Sequence, residues 1–257
     1  RPFRESAETM RVLGLDFGSS VVGPFGAKKM RITEIGAILW DTDAKKPLVV
    51  VNRSVWEPDY IYHPLMTEIT GMTESEHKEF GQPAKPAIQK LLNLMQKADA
   101  IVAHNGKNFD RVVLEEECKR HGLEFPGATP WVDTMADVPY PKKIEVRKLE
   151  FLAPAHGFLN PFAHRAAFDA LAMLKVLSHY DFATVLARSK EPDVIVRAMV
   201  AAPFGATKTK GEKEVAEAKA RGYKFDGDIK IWAKRIKESE YSAEAAAAPW
   251  PVVIVKK

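Results

Sequence analysis

The sequence is poor in cysteine: Cys118 is the single one in 257 residues. An intrachain disulfide is therefore impossible. That removes the disulfide-stapled secreted scaffolds and any structural zinc site built on cysteines, and it suits a reducing compartment such as the cytoplasm. There is no run of about 18 apolar residues, so no membrane-spanning helix, and no membrane association, is expected. Residues 1–9 lack the apolar stretch of a secretory signal. Met10 stands directly before the first apolar run, and 1–9 read as a leader or an appended remnant. A large excess of one charge is also missing, since 38 Lys+Arg face 34 Asp+Glu for a formal net charge of +4.

What is present is an ordinary globular composition. Apolar residues make up 46% of the chain and charged residues 28%, enough to bury a core and too balanced for wholesale disorder. The small basic excess is unevenly placed. Residues 1–185 hold 23 basic and 24 acidic side chains, a net of −1, whereas 186–257 hold 15 and 10, a net of +5. A basic tail on a near-neutral body suits an anionic partner such as nucleic acid; a solvated surface is the equal alternative.

The apolar pattern predicts an α/β chain. Arg11–Phe17 reads as a buried strand, Gly18–Lys29 as a loop, and Arg31–Trp40 and Leu48–Val55 as two more strands of an antiparallel meander. Glu57–Gln82 reads as a long polar loop. Ala84–Lys97 is an amphipathic helix, Ala100–Ala103 a buried strand, Asp110–His121 a helix stopped by Gly122, and Trp131–Asp133 a further short strand. Helices are expected at Val146–Ala155 and His164–Tyr180, the latter packing Ala166, Ala167, Ala170, Leu171, Leu174 and Leu177 on the sheet. The domain boundary is placed between about Ala187 and Asp193, giving a body at 10–187 and a small basic α+β module at 193–257. In that module Lys208–Arg221 reads as a helix, Tyr223–Ile236 as a hairpin around Asp226-Gly227, and Ala243–Ala248 as low complexity. Its Tyr223, Phe225 and Trp232 either stack on bases beside lysines or form the module's own core, and the size of the module favours the core.

Three acids stand near predicted element ends: Asp16, Asp110 and Asp169. Buried carboxylates brought together repel one another unless a cation lies between them. Hard oxygen donors suit Mg²⁺ or Mn²⁺, and a pair of such ions activates water for phosphodiester hydrolysis. His164 precedes Asp169 by five residues, and an imidazole titrates near neutrality, so it can take the water's proton. Taken singly, each of these residues is as readily a cap, a turn or a surface side chain.

In their order and local contexts, these residues resemble the DEDDh 3′–5′ exonucleases of the DnaQ-like group, from about Met10 to Ser178. Leu15-Asp16-Phe17 is similar to the start of the family's first motif, and Arg31–Ala37 to its second strand. Glu68-Ile69-Thr70-Gly71-Met72 resembles the loop near the 3′ terminus. Ala103–Asp110 is similar to the second motif, Trp131–Thr134 to the Asp-Thr segment, and His164 with Asp169 to the third motif. The resemblance implies an RNase H-like mixed sheet flanked by helices and 3′–5′ exonuclease activity on DNA, with RNA as the other candidate. It implies metal ligation by Asp16, Asp110 and Asp169, with His164 as general base. It also implies substrate contacts at Phe17, Gly18, Ser19, Asn105 and Met72, although Asn105 equally suits a loop-fixing hydrogen bond. Nucleic acid with single-stranded or fraying 3′ ends is the implied partner, and a polymerase or replication partner is compatible with it.

One position departs from the family. Its first motif has a metal-binding glutamate two residues after the aspartate, and here that position is Gly18. With three carboxylates instead of four, one of two Mg²⁺ or Mn²⁺ ions is expected to be weakly held. Glu34 lies on the second strand, where a structural role is expected. Two rivals remain open at this point: an exonuclease fold that binds nucleic acid without cutting, and a hydrolase of short oligonucleotides.

Overall fold

Strand β1 (Arg11–Ser20) is the centre of a five-stranded sheet. The computed structural model describes residues 9–20, 30–141, 143–144, 146–199, 208–226 and 231–255, with side chains from 214 onward in the helix Lys208–Ala220. Its contacts fall into two units, 1–189 and 190–257.

In the first unit β1 pairs antiparallel with β2 (Arg31–Asp41), and β2 with β3 (Lys46–Ser54). On the other side of β1 lie β4 (Ala100–Ala103) and β5 (Trp131–Asp133), both parallel to their neighbours, in the order β3-β2-β1-β4-β5. This is the mixed sheet of the RNase H-like class. The alternation along β1 and β2 divides the core. Leu13, Leu15, Phe17, Ile35, Ala37 and Leu39 face one layer with α3 (Ala84–Met95) and α4 (Asp110–His121). Val12, Ile38 and Trp40 face the other, with α5 (Leu149–Ala155), α6 (Ala166–Leu177) and α7 (Phe182–Ser189). Asp16, Gly18, Glu34 and Gly36 share the parity of this second face.

Gly36 shows how closely α6 approaches. A Cβ at 36 would lie 2.1 Å from the carbonyl carbon of Ala166 and 2.3 Å from the amide of Ala167. Backbone cannot yield as a side-chain tip can. Gly36→Ala should cost about 2–3 kcal/mol, a fall of roughly 4–12 °C in melting temperature by calorimetry. An unchanged melting point would contradict this packing.

Several expectations need correction. Strand β1 does not end at Phe17 but continues to Ser20, because a register shift between Gly18 and Ser19 lets Ser19 and Ser20 pair with Ile32 and Arg31. Asp16 therefore sits within the strand; the rest of the expected loop, 21–29, lies outside the described residues. The polar stretch 57–82 contains two short helices, α1 (Pro64–Thr70) and α2 (Glu74–Phe80). Their signals were local: His63 caps a helix with Pro64 in its first turn, and Thr73 and Glu76 form a reciprocal capping box. The helix expected from Val146 begins at Leu149, and His164 lies outside α6. Leu171 is 39% exposed, a helical step away from the buried Ala170 and Leu174. Among the described residues no single helix is long and apolar enough to cross a membrane.

The second unit is a four-stranded antiparallel sheet. It comprises β6 (Asp193–Ala198), β7 (Lys224–Asp226), β8 (Ile231–Lys237) and β9 (Val252–Val255) in the order β7-β8-β6-β9. Helix α8 (Lys208–Ala220) precedes the β7–β8 hairpin, and the alanine-rich stretch forms α9 (Tyr241–Ala247). The hairpin's turn, 227–230, lies outside the described residues. Tyr223 and Trp232 are buried in this unit's core with Val196, Trp250 and Val252. That supports the core alternative for both rings. Lys234 is bound to Glu244 at 2.8 Å and crosses the Tyr223 ring, so this lysine is already committed within the fold.

Candidate active site

The parallel strands β1, β4 and β5 all point their carboxyl ends the same way, and ligands of α/β sheets gather outside such ends. β4 pairs with β1 only from Val12 to Gly14. Beyond Gly14 the β4 side of β1 is open, and the chain leaving β4 returns there as the first turn of α4. Asp110, the first residue of α4 and 2% exposed, accepts the Phe17 amide on Oδ1 at 3.1 Å. A carboxylate thus fills a ladder position next to Asp16.

Asp169 arrives from the other face, in the first turn of α6. Its Oδ2 accepts the His164 amide at 2.9 Å, and its Oδ1 accepts Asn160 Nδ2 at 2.6 Å. Asp110 and Asp169 both act on Asp16. Burial, and then the charges of Asp110, Asp169 and Glu34, push the Asp16 carboxyl well above its usual range. Burial pushes Asp110 up to about 8, against the lowering effect of its backbone hydrogen bonds. Asp169 is also raised by burial, while the His164 amide and ring draw it back.

His164 is exposed at a turn with φ 65°, and Asn105 has φ 62°. Such left-handed backbone in residues other than glycine persists only where the surroundings hold it, and it concentrates at functional sites. Asn105 is engaged in its own loop: its amide donates to Asp133 Oδ1 at 2.9 Å and its Oδ1 accepts Asn108 Nδ2 at 3.0 Å. Phe17 is buried, Gly18 is opposite Glu34, and the Ser19 hydroxyl lies 3.6 Å from Met30 Sδ. Met72 is buried at the end of the α1–α2 connection, where its carbonyl accepts the Tyr62 hydroxyl. Leu65 and Ile69 of α1 are the exposed apolar side chains beside it.

Three further residues border the site: Asp133, read from the sequence only as part of the Asp-Thr segment, Glu34, expected to be structural, and Asn160, which the sequence did not single out. Asp133 ends β5, accepts the Asn105 and Met135 amides, and adds to the upward push on Asp110. Asn160 orients Asp169 across a turn, and only its place before Pro161 hinted at one. Glu34 is 2% exposed and grips Arg165, with Arg165 Nε 3.2 Å and NH2 3.0 Å from Oε1.

The donor set is all hard carboxylate oxygen, with Asp16 raised by the charges of the other two, which fits a divalent cation of the Mg²⁺ kind. Among the described residues, no three acid, histidine or cysteine side chains already converge on one ion position. Protein oxygens would thus supply only part of a coordination shell, as is usual for an ion that keeps its waters.

Residues 14–177 match the family model described as Exonuclease. The chain belongs to this exonuclease family. No curated protein matches it by sequence. Its fold is shared with solved structures of DEDDh 3′-exonucleases. The nuclease domain of 3′hExo, a DEDDh family member bound to rAMP, matches with a TM-score of 0.55 at 14% identity, covering 67% of this chain and 92% of that one. E. coli exonuclease I in complex with a dA16 oligonucleotide matches with a TM-score of 0.58 at 17% identity, covering 77% of this chain and 49% of that one. A 3′-exonuclease that recognises the 3′ end of a histone mRNA stem-loop matches with a TM-score of 0.54 at 13% identity, covering 67% and 63%. The chain thus spans about half the length of exonuclease I.

Proposed function

We propose that this protein is a metal-dependent 3′–5′ exonuclease acting on single-stranded or fraying 3′ ends of DNA, with RNA the other polymer to be compared. The observation that carries the reading is Asp110, 94 positions from Asp16 in the chain, accepting the amide of Phe17 next to Asp16 within β1, with the charges of Asp110 and of Asp169, 153 positions away, both raising Asp16. Membership of the exonuclease family gives the reaction class. Nucleic acid as partner follows from the neighbours that hold oligonucleotides.

In this reading Asp16, Asp110 and Asp169 would hold Mg²⁺ or Mn²⁺, which would supply charge neutralisation at the phosphate and an acidified water. Asp110, tied to the Phe17 amide, and Asp169, tied to Asn160 and the His164 amide, keep their carboxylates in place without large side-chain motion. His164 takes the proton from the attacking water. Its exposure leaves the ring free to approach a bound 3′ end and to pass that proton to solvent. The backbone at Phe17 and Gly18, with Ser19, borders the terminal nucleotide.

A second reading rests on Gly18, which offers no carboxylate: the fold grips a 3′ end without cutting it. End-labelled single strands separate the two. The enzyme shortens strands from the 3′ end with Mg²⁺ or Mn²⁺, stops on chelation, and loses activity in Asp110→Ala and His164→Ala. Salt-sensitive binding with no shortening under any metal would overturn the enzyme in favour of the binding protein.

A further inference from the structure

Gly18 and Glu34 are directly opposed in the β1–β2 ladder, so their side-chain directions share one face of the sheet. A Cβ at 18 would lie 2.9 Å from the Cβ of Glu34 and 3.4 Å from its amide nitrogen. The space beside Asp16 on this face therefore already belongs to Glu34. Its carboxylate is fully engaged. Oε1 accepts Arg165 Nε at 3.2 Å and NH2 at 3.0 Å, and Oε2 accepts Arg165 Nε at 3.3 Å and the Ala166 amide at 3.2 Å. Arg165 stands next to His164 in the chain and four residues before Asp169, and its backbone carbonyl accepts the Asp169 amide at 2.9 Å.

We infer that Glu34 is a positioning residue of the active site: it pins the first turn of α6 to β2 and holds the Arg165 guanidinium off Asp16 and Asp169, leaving those acids to a divalent cation. The inference rests on the proposed metal-dependent reading. Its physical core is competition. A guanidinium is a permanent cation with a geometry matched to carboxylates, and released beside two aspartates it would pair with them in place of the metal. Glu34 is the buried acid that occupies it.

Breaking the same ion pair from its two ends should then have opposite consequences. Glu34→Gln keeps the size of the side chain and an oxygen for the Ala166 amide, but frees the Arg165 charge. Arg165→Gln removes the competing cation and leaves Glu34 in place. Mn²⁺ binding to the full chain, followed by electron paramagnetic resonance without nucleic acid, reads both. Circular dichroism confirms that each variant is folded. Mn²⁺ affinity should fall about tenfold in Glu34→Gln, the scale of one unbalanced charge at partly screened distances. It should hold or rise in Arg165→Gln, and recover in the double variant. Equal weakening in both single variants would make the pair a mere strut and overturn the inference, as would a Glu34→Gln protein with wild-type affinity. If Glu34→Gln does not fold, Arg165→Gln still decides, because weakened Mn²⁺ binding there overturns the inference. A wild-type protein that binds no Mn²⁺ would overturn the metal-dependent reading and this inference together, whereas wild-type binding with equal weakening in both variants overturns this one alone.

Discussion

Asp16→Asn should reduce 3′-end hydrolysis by about a thousandfold or more, the effect of losing several kcal/mol of metal-borne stabilisation in the transition state. Asp16 is the acid on which the others act: Asp110, Asp169 and Glu34 all push its ionisation upward. An amide at 16 keeps the shape of the side chain and removes the charge a cation needs. Mn²⁺ affinity should therefore fall in parallel with turnover. His164→Ala makes the contrasting case. Its loss should cost about 10²–10⁴-fold, the usual worth of a general base, with Mn²⁺ affinity falling far less than in Asp16→Asn, because the hydrogen bond that anchors Asp169 Oδ2 comes from the His164 backbone amide. Single-turnover assays with Mn²⁺ titrations separate the two patterns. An Asp16→Asn protein with more than a tenth of wild-type turnover would remove Asp16 from the metal site.

Much of this site was legible because its signals are local. The run Arg11–Phe17, the alternation of Arg31–Trp40 and the stop at Gly122 each fix an element within a few residues, and the motif acids follow from them. What was illegible depends on pairing between strands. Nothing around Gly18 shows that β1 continues to Ser20, since the register shift is set by the partner strand β2. The same register places Glu34 opposite Gly18, and a residue 131 positions away, Arg165, defines what Glu34 does. The missing side chain at 18 therefore leaves less of a gap than the motif suggests. Leu171 was misplaced for a simpler reason. α6 is apolar on more than one side, so spacing alone does not tell which leucine faces the sheet.

In the absence of divalent cations, the protein should lose stability as pH rises from about 6.5 to 8. Asp110 titrates at about 8 in the folded chain and near its ordinary 3.8 when unfolded. Between these values the folded state holds the extra proton, so raising the pH favours unfolding. Asp16 and Asp169, both raised by burial, act in the same direction. His77, His104 and His179 oppose them: burial lowers all three, so each adds stability as pH climbs toward 6.5 and nothing further above it. The window above 6.5 is thus left to the aspartates. One proton carried across about 1.5 pH units is worth about 2 kcal/mol, a fall of roughly 4–8 °C in melting temperature. Saturating Mg²⁺ or Mn²⁺ should flatten or reverse the slope, because an ion binds the deprotonated carboxylates and displaces their protons. Asp110→Asn should flatten it without any metal and be more stable than wild type at pH 8, while remaining inactive. Calorimetry at pH 6.5, 7.25 and 8, with chelator and with metal, measures all of these. A metal-free melting point that stays level across the window would show that Asp110 does not keep its proton into this range, and the electrostatic basis of the site would fall with it.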